Sequence, residues 1–83
     1  MNAKEMQARV VEIIRTVAPE VDPADLRPDQ ALRDQVDLDS MDWLRVIVGV
    51  HEKLHVDIPE KDYGKLRTLD DWSAYLATKL PPG

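Results

Sequence analysis

The chain changes character at Asp37-Leu38-Asp39-Ser40-Met41-Asp42-Trp43-Leu44, where a polar loop ends and a segment with helical periodicity begins. Asp39 and Ser40 both favour the N-cap position, because a side-chain oxygen there accepts a free backbone N–H of the first turn. Asp39 and Asp42 also place negative charge at the positive end of the helix dipole. The simplest interpretation is a well-capped helix. The alternative is that the exposed hydroxyl of Ser40, with apolar Met41 beside it, carries a chemical group.

Composition limits the functions open to the chain. Its 83 residues predict one domain spanning residues 1–83 with a modest core. There is no cysteine, so thiol chemistry requires an added group. Eleven basic and 16 acidic residues give a net charge of −5, which disfavours nucleic acid as a partner. No signal-peptide pattern is present and no apolar run approaches the ~20 residues of a membrane span, so we expect a cytoplasmic protein.

Apolar periodicity predicts an all-α fold, a small bundle of three main helices and one short helix. The main helices are expected at about residues 3–17, 40–54 and 68–80, and the short one at about residues 60–64. Thr68 is the expected N-cap of the last helix, with Asp71 completing a capping box. Residues 18–39 form a long loop between the first two helices, in which Pro23 to Leu26 has the pattern of a single helical turn.

The predicted core consists of one apolar face from each main helix and four anchors in the long loop. In the first helix these residues are Met6, Val10, Ile13, Ile14 and Val17. In the second they are Leu44, Ile47, Val50 and Leu54, with Val48 beside them. In the last they are Leu69, Trp72, Leu76 and Leu80, with Tyr75 at the edge. The loop anchors are Leu26, Leu32, Val36 and Leu38.

The positions of two glycines, Gly49 and Gly64, suggest structural roles. Gly49 lies inside the second helix, where glycine costs about 1 kcal/mol relative to alanine. Close approach of another helix, space for a ligand, and simple tolerance all explain it. Gly64 is a candidate C-cap of the short helix.

The sequence from His51 to His55 matches H-E-x-x-H, which on a helix places two imidazoles on one face for zinc. The chain is too small for a protease cleft, and no third ligand follows in a recognisable context. His55 also falls at the end of the predicted helix, where the i, i+4 geometry fails. We therefore interpret both histidines as partly exposed helix residues and predict no metal site.

Ser40 lacks the surroundings of a catalytic nucleophile. No G-x-S-x-G elbow encloses it, and His51 lies about 16 Å further along the helix at the usual rise. We expect no enzymatic activity, and interpret Ser40 as a residue that another enzyme modifies. Trp43, close to Ser40, has two equally open interpretations. It is either a partner-contact residue or packs against Leu38 or Ile58.

The order and spacing of these elements resemble the acyl carrier protein family along nearly the whole chain. That family carries G-x-D-S-L at the start of its second helix, and Asp39-Ser40-Met41 is similar to its D-S-L. Val56-Asp57-Ile58-Pro59 is similar to the family's I-x-I-P segment, and the acidic short helix and threonine-capped last helix follow in order. The chain departs from the pattern at Asp37 and His55, where the family has glycine. It also departs at Arg45, where the family has an acid, and at His51 and Lys53, which replace later acids of the same helix.

The resemblance implies a monomeric acyl carrier protein whose Ser40 bears covalent 4′-phosphopantetheine, with Asp39 and Met41 beside the attachment site. It implies that a phosphopantetheinyl transferase and acyl-loading and acyl-transfer enzymes of fatty acid, polyketide or related lipid biosynthesis are the partners. Asp42, Trp43 and Arg45 are the expected partner contacts. Two alternatives remain: an aminoacyl or peptidyl carrier of a non-ribosomal pathway, and an unmodified helical interaction domain in which Ser40 is only a cap.

Overall fold

A computed structural model describes residues 2–80. Within that range it is helical, as predicted, and no helix in it is both long and apolar enough to cross a membrane. The elements are α1 (Ala3–Val17), a first 3₁₀ helix (Pro23–Asp25), α2 (Leu32–Gln35), α3 (Ser40–Leu54), a second 3₁₀ helix (Glu60–Lys65) and α4 (Leu69–Lys79).

Of the three long helices, α1 is the one that contacts both of the others, α3 and α4. The structure confirms most of the predicted core residues of α1 and α4. In α1, Met6, Val10, Ile13 and Ile14 are buried, and in α4 so are Leu69, Trp72 and Leu76. Trp72 is fully buried at the centre, so it is a core residue.

Each long helix begins at a side-chain cap. Asn2, Asp39 and Thr68 accept the N–H groups of Glu5, Asp42 and Asp71 respectively. At α4 the predicted capping box is present, because Asp71 Oδ2 in turn accepts the N–H of Thr68 at 3.1 Å. These caps satisfy donors that a helix start otherwise leaves unpaired, which is why the predicted starts of the long helices hold within one residue.

The register of α3 differs from the prediction. Leu44 and Val48 are exposed by 40% and 43%, whereas Val46 is completely buried beside Ile47 and Val50. The predicted burial of Ile47 and Val50 is confirmed, but that of Leu44 and Val48 was wrong. Helix α3 carries apolar residues on more than one face, and periodicity alone does not say which face meets α1. The outward residues therefore need another explanation.

The long loop contains more structure than predicted. The turn at Pro23 to Leu26 is confirmed as the first 3₁₀ helix, but α2 was missed. Its four residues are too few to show periodicity, and distant contacts hold it. The Leu32 N–H donates to the carbonyl of Arg67 at 2.8 Å, and the Asp70 N–H donates to the carbonyl of Pro28 at 3.0 Å. Of the anchors, Leu32, Val36 and Leu38 are buried and Leu26 is half-buried.

Helix α3 ends at His55, which is the C-cap and has left-handed backbone angles (φ 55°, ψ 43°). This conformation normally favours glycine, because a Cβ crowds the following carbonyl. His55 thus stands where the family has glycine, and it adopts the left-handed backbone conformation that favours glycine. Gly64 is not a C-cap, since the second 3₁₀ helix continues to Lys65 and is capped by Leu66.

A side-chain hydrogen bond joins the second 3₁₀ helix to α4. The Tyr75 hydroxyl donates to Asp62 Oδ2 at 2.8 Å. Burial, together with this bond, raises the pKa of Tyr75 to about 12, and the same bond lowers the pKa of Asp62. Tyr75 therefore remains a donor and Asp62 a charged acceptor at neutral pH.

Gly49 marks the closest approach of α1 and α3. A Cβ built on Gly49 would lie 2.7 Å from Cγ2 of Ile13. This methyl is attached directly to the Ile13 Cβ and cannot swing aside, so close helix packing, the first of the three explanations, accounts for the glycine.

We predict that Gly49→Ala destabilises the protein by about 1–3 kcal/mol, the usual cost of overpacking. In an exposed helix position the same change would stabilise by about 1 kcal/mol, so the sign is diagnostic. Urea unfolding followed by circular dichroism measures it. Gly64→Ala is the matched control, because an added Cβ there meets nothing within 4 Å. A stability gain for Gly49→Ala would contradict the packing.

Candidate functional site at the start of helix α3

Ser40 is the first residue of α3 and is exposed to solvent. Asp39, not Ser40, is the N-cap, and its Oδ1 accepts the Asp42 N–H at 2.8 Å. Among residues 2–80 the structure shows no hydrogen bond made by the Ser40 hydroxyl. The interpretation of Ser40 as a capping residue is therefore wrong, and its hydroxyl is exposed without a partner among these residues.

The turn before α3 does not need a glycine. The Leu38 N–H donates to the Val36 carbonyl at 2.9 Å, which closes a three-residue turn centred on Asp37. The only non-glycine residue with positive φ in residues 2–80 is His55, so Asp37 makes this turn with ordinary backbone angles. The departure from the family's glycine at this position is accommodated locally.

The start of α3 offers unpaired backbone donors. Asp39 supplies acceptors for two N–H groups: its side chain for Asp42 and its carbonyl, at 2.9 Å, for Trp43. Within the described residues, no acceptor is present for the N–H groups of Ser40 and Met41. Such donors, at the positive end of the helix dipole, form a ready site for a phosphate group.

Apolar side chains line the outer face of α3 next to Ser40. Met41 is exposed by 62%, and Leu44 and Val48 follow on the same side of the helix. Positions three and four apart are neighbours on a helix surface, so these three residues form a continuous stripe, called here the outer stripe. The sequence prediction had placed Leu44 and Val48 in the core. A helical wheel alone would not have turned them outward, because α3 is apolar on both sides.

Charged residues flank the outer stripe. Arg45 Nη1 lies 3.8 Å from Asp42 Oδ1, one turn apart on the helix. The Arg45 side chain is 69% exposed, and the Asp42 side chain is 32% exposed. An exposed pair of this kind contributes little to stability, so both groups are available to other molecules.

Trp43 is half-buried. Its ring meets the ring of Trp72 edge to face, with centroids 6.2 Å apart and an interplanar angle of 64°. The packing partner is thus Trp72, and not Leu38 or Ile58 as the sequence analysis had suggested. The remaining face of Trp43 lines a surface cleft together with Tyr63.

The H-E-x-x-H match does not continue along one helix. His55 lies at the C-cap of α3, outside the helix, as the sequence predicted. His51 Nδ1 lies 2.7 Å from the carbonyl oxygen of Val56. A carbonyl accepts only, so Nδ1 carries the proton and His51 holds the segment that leaves α3. Within residues 2–80, no cluster of three or more potential metal-ligating side chains occurs.

The cap predicts different stability effects for two neighbouring residues. Asp39→Ala should lower the free energy of unfolding by about 1 kcal/mol, because it leaves the Asp42 N–H unpaired. Ser40→Ala should change it by less than about 0.5 kcal/mol, because no described contact of the hydroxyl is lost. Thermal and urea unfolding measure both. A larger cost for Ser40→Ala than for Asp39→Ala would show that the cap is assigned to the wrong residue.

Comparisons with known proteins agree with this geometry. The family model described as the phosphopantetheine attachment site matches residues 8–76. The meromycolate extension acyl carrier protein of Mycobacterium tuberculosis (strain ATCC 25618 / H37Rv) is 33% identical over 73 residues, covering 88% of this chain and 63% of that protein. The acyl carrier protein of Acidothermus cellulolyticus (strain ATCC 43068 / DSM 8971 / 11B) is 31% identical over 77 residues, covering 93% and 90% of the two chains.

The match to the mycobacterial relative thus spans less than two thirds of that protein. The match to the Acidothermus protein is nearly end to end. The family match extends from the second turn of α1 to the last turn of α4 and includes Ser40 with the helix start that presents it. This chain therefore belongs to the acyl carrier protein family of phosphopantetheine-attachment domains.

Proposed function

We propose that this chain is an acyl carrier, in which Ser40 bears 4′-phosphopantetheine and acyl groups are held as thioesters on the terminal thiol of that arm. The observation that carries the proposal is the exposed, unbonded Ser40 hydroxyl at the first position of a capped 15-residue helix. The family to which the chain belongs identifies the attached group as phosphopantetheine. The chain has no cysteine, so the arm provides the reactive thiol that the protein lacks.

Attachment requires only that a transferase reaches Ser40. The Ser40 Oγ–P bond forms as the pyrophosphate bond of coenzyme A breaks, and 3′,5′-adenosine bisphosphate leaves. The hydroxyl proton passes to a base of the transferase. The role of this chain is positional: Asp39 holds the helix start, and the N–H groups of Ser40 and Met41 would be available to hydrogen-bond the phosphate of the product.

The outer stripe and its flanking charges are the proposed docking surface for the transferase and the acyl-handling enzymes. Met41, Leu44 and Val48 offer a small apolar contact, and Asp42 and Arg45 supply charge of both signs. A transient complex needs such a limited patch. Because Arg45 and His51 stand where family members carry acids, we expect partners whose docking sites are less uniformly basic than those of an acidic carrier.

The acyl nature of the cargo rests on the names of the relatives, which are acyl carrier proteins. A role in lipid or polyketide assembly, a cytoplasmic location, a monomeric state and the absence of any catalytic activity of its own belong to the same proposal. An aminoacyl or peptidyl carrier role has no particular observation in its favour.

Intact-mass measurement before and after incubation with coenzyme A, Mg²⁺ and a broad-specificity phosphopantetheinyl transferase tests the proposal. We expect a single phosphopantetheinyl addition to the unaltered protein and none to Ser40→Ala. Ser73→Ala is the matched control, because Ser73 is the only other serine and is buried in α4; it should be modified like the unaltered protein.

Circular dichroism would establish that both variants are folded. Failure of several transferases to modify the folded protein, or equal modification of Ser40→Ala, would overturn the carrier assignment. The chain would then be better described as a helical interaction domain.

A further inference from the structure

The sulfur atoms of this chain all belong to methionines. It has three methionines and no cysteine, and two of the methionines lie within residues 2–80 in opposite surroundings. Met6 is 6% exposed and belongs to the core face of α1, whereas Met41 is 62% exposed and directly follows Ser40 in α3. One thioether is therefore enclosed by the fold, and the other is open to solvent beside the candidate attachment site.

Met41 forms the end of the outer stripe that lies nearest to Ser40. Within residues 2–80 it is the most exposed of the large apolar side chains, ahead of Leu44 and Val48. The family has leucine at this position, and leucine would give a similar apolar contact with no atom that a mild oxidant attacks. Methionine thus adds a chemical property that the contact itself does not require.

The property is reversible oxidation of the thioether to a sulfoxide, which turns an apolar side chain into a polar one. With a peroxide, a lone pair of the sulfur attacks one peroxide oxygen. The S–O bond forms as the O–O bond breaks, and the second oxygen leaves as water. The sulfur loses two electrons and the peroxide gains them. In the reverse step a dithiol becomes a disulfide, and the sulfoxide oxygen leaves as water.

We propose that Met41 is a reversible oxidation site at which a peroxide closes the docking surface next to Ser40. The inference rests on the proposed carrier function and on the outer stripe as the contact for the transferase. A sulfoxide at residue 41 would place a strongly polar group in the middle of an apolar contact, where it must lose its water in every complex. The reduced chain is therefore a good substrate for the transferase, and the oxidised chain a poor one.

The fold itself should withstand oxidation at Met41, because the contacts that fix α3 lie elsewhere. Asp39 caps the helix start, and Val46 and Val50 are buried on the opposite side. Met6 differs in both respects. Its sulfur is reached only when the core opens, and a sulfoxide there would be a buried polar group. Burial thus decides which methionine reacts and what the reaction changes.

The first measurement maps the oxidation of the full, unloaded chain by hydrogen peroxide. The unloaded form is used because the thiol of a phosphopantetheine arm would react as well. Trypsin places the three methionines in separate peptides, at residues 1–4, 5–9 and 34–45. We expect the peptide with Met41 to gain one oxygen while the peptide with Met6 is unchanged, and fragment spectra assign the oxygen to the sulfur.

The second measurement compares loading of Ser40 by the transferase before and after the peroxide treatment. We expect kcat/KM to fall about tenfold for the Met41 sulfoxide, because burying a methionine side chain in a complex is worth at least about one such factor. Methionine sulfoxide reductases for both sulfoxide epimers, with dithiothreitol as the dithiol, should restore the original rate.

Three variants connect the effect to this one sulfur. Met41→Leu keeps an apolar side chain and removes the sulfur, so its loading rate, compared with its own rate before treatment, should not respond to peroxide. Met6→Leu retains Met41 and should lose the same factor as the unaltered protein. Met41→Gln is polar and resists peroxide, so it should load slowly without any treatment. Circular dichroism shows whether each variant is folded.

Oxidation of Met6 as fast as Met41, or an unchanged loading rate of the Met41 sulfoxide, would overturn this proposal. An equal loss of loading in peroxide-treated Met41→Leu would overturn it too, by assigning the effect to another residue. These results leave the carrier function intact, because the untreated chain still gains phosphopantetheine on Ser40. Failure of the untreated, folded chain to load would instead contradict the carrier function itself.

Discussion

The hydrogen bond from the Asp42 N–H to the Asp39 carboxylate, 2.8 Å long, decides where α3 begins. Because Asp39 is the cap, Ser40 becomes the first residue of the helix and its hydroxyl is left without a structural task. The two N–H groups that Asp39 does not pair then remain available at the helix start. One short contact therefore produces both a stable helix boundary and an exposed serine hydroxyl at the first helical position.

Burial on the opposite side of α3 sets the orientation of this position. Gly49 allows α3 to lie against Ile13 of α1, and Val46 and Val50 are buried by that contact. Leu44 and Val48 are consequently turned outward, beside Met41. An apolar stripe next to an exposed serine is costly for a solitary protein and is understandable on one that meets other proteins. Close packing inside the fold thus explains the exposed surface outside it.

Sequence reasoning was most successful where a local signal was strong. The bounds of α1 and α3 follow from 3.6-residue periodicity, a proline and a capping aspartate, and the structure has them at Ala3–Val17 and Ser40–Leu54. The rotation of α3 was beyond such reasoning, since apolar residues lie on both of its sides. Helix α2 and the cleft were also beyond it, because they depend on contacts between residues far apart in the chain. Arg33 and Arg67 line one cleft because the N–H of Leu32, next to Arg33, donates to the Arg67 carbonyl.

The chemical state of Ser40 in cells that make this protein is the most direct test of the account. Trypsin cleaves after Arg33 and Arg45, and the peptide between them contains Ser40 as its only hydroxyl-bearing residue. Mass spectrometry of that peptide from purified native protein should find phosphopantetheine on Ser40, with any cargo attached through a thioester. An unmodified peptide from cells whose other carrier proteins are fully modified would contradict the central claim.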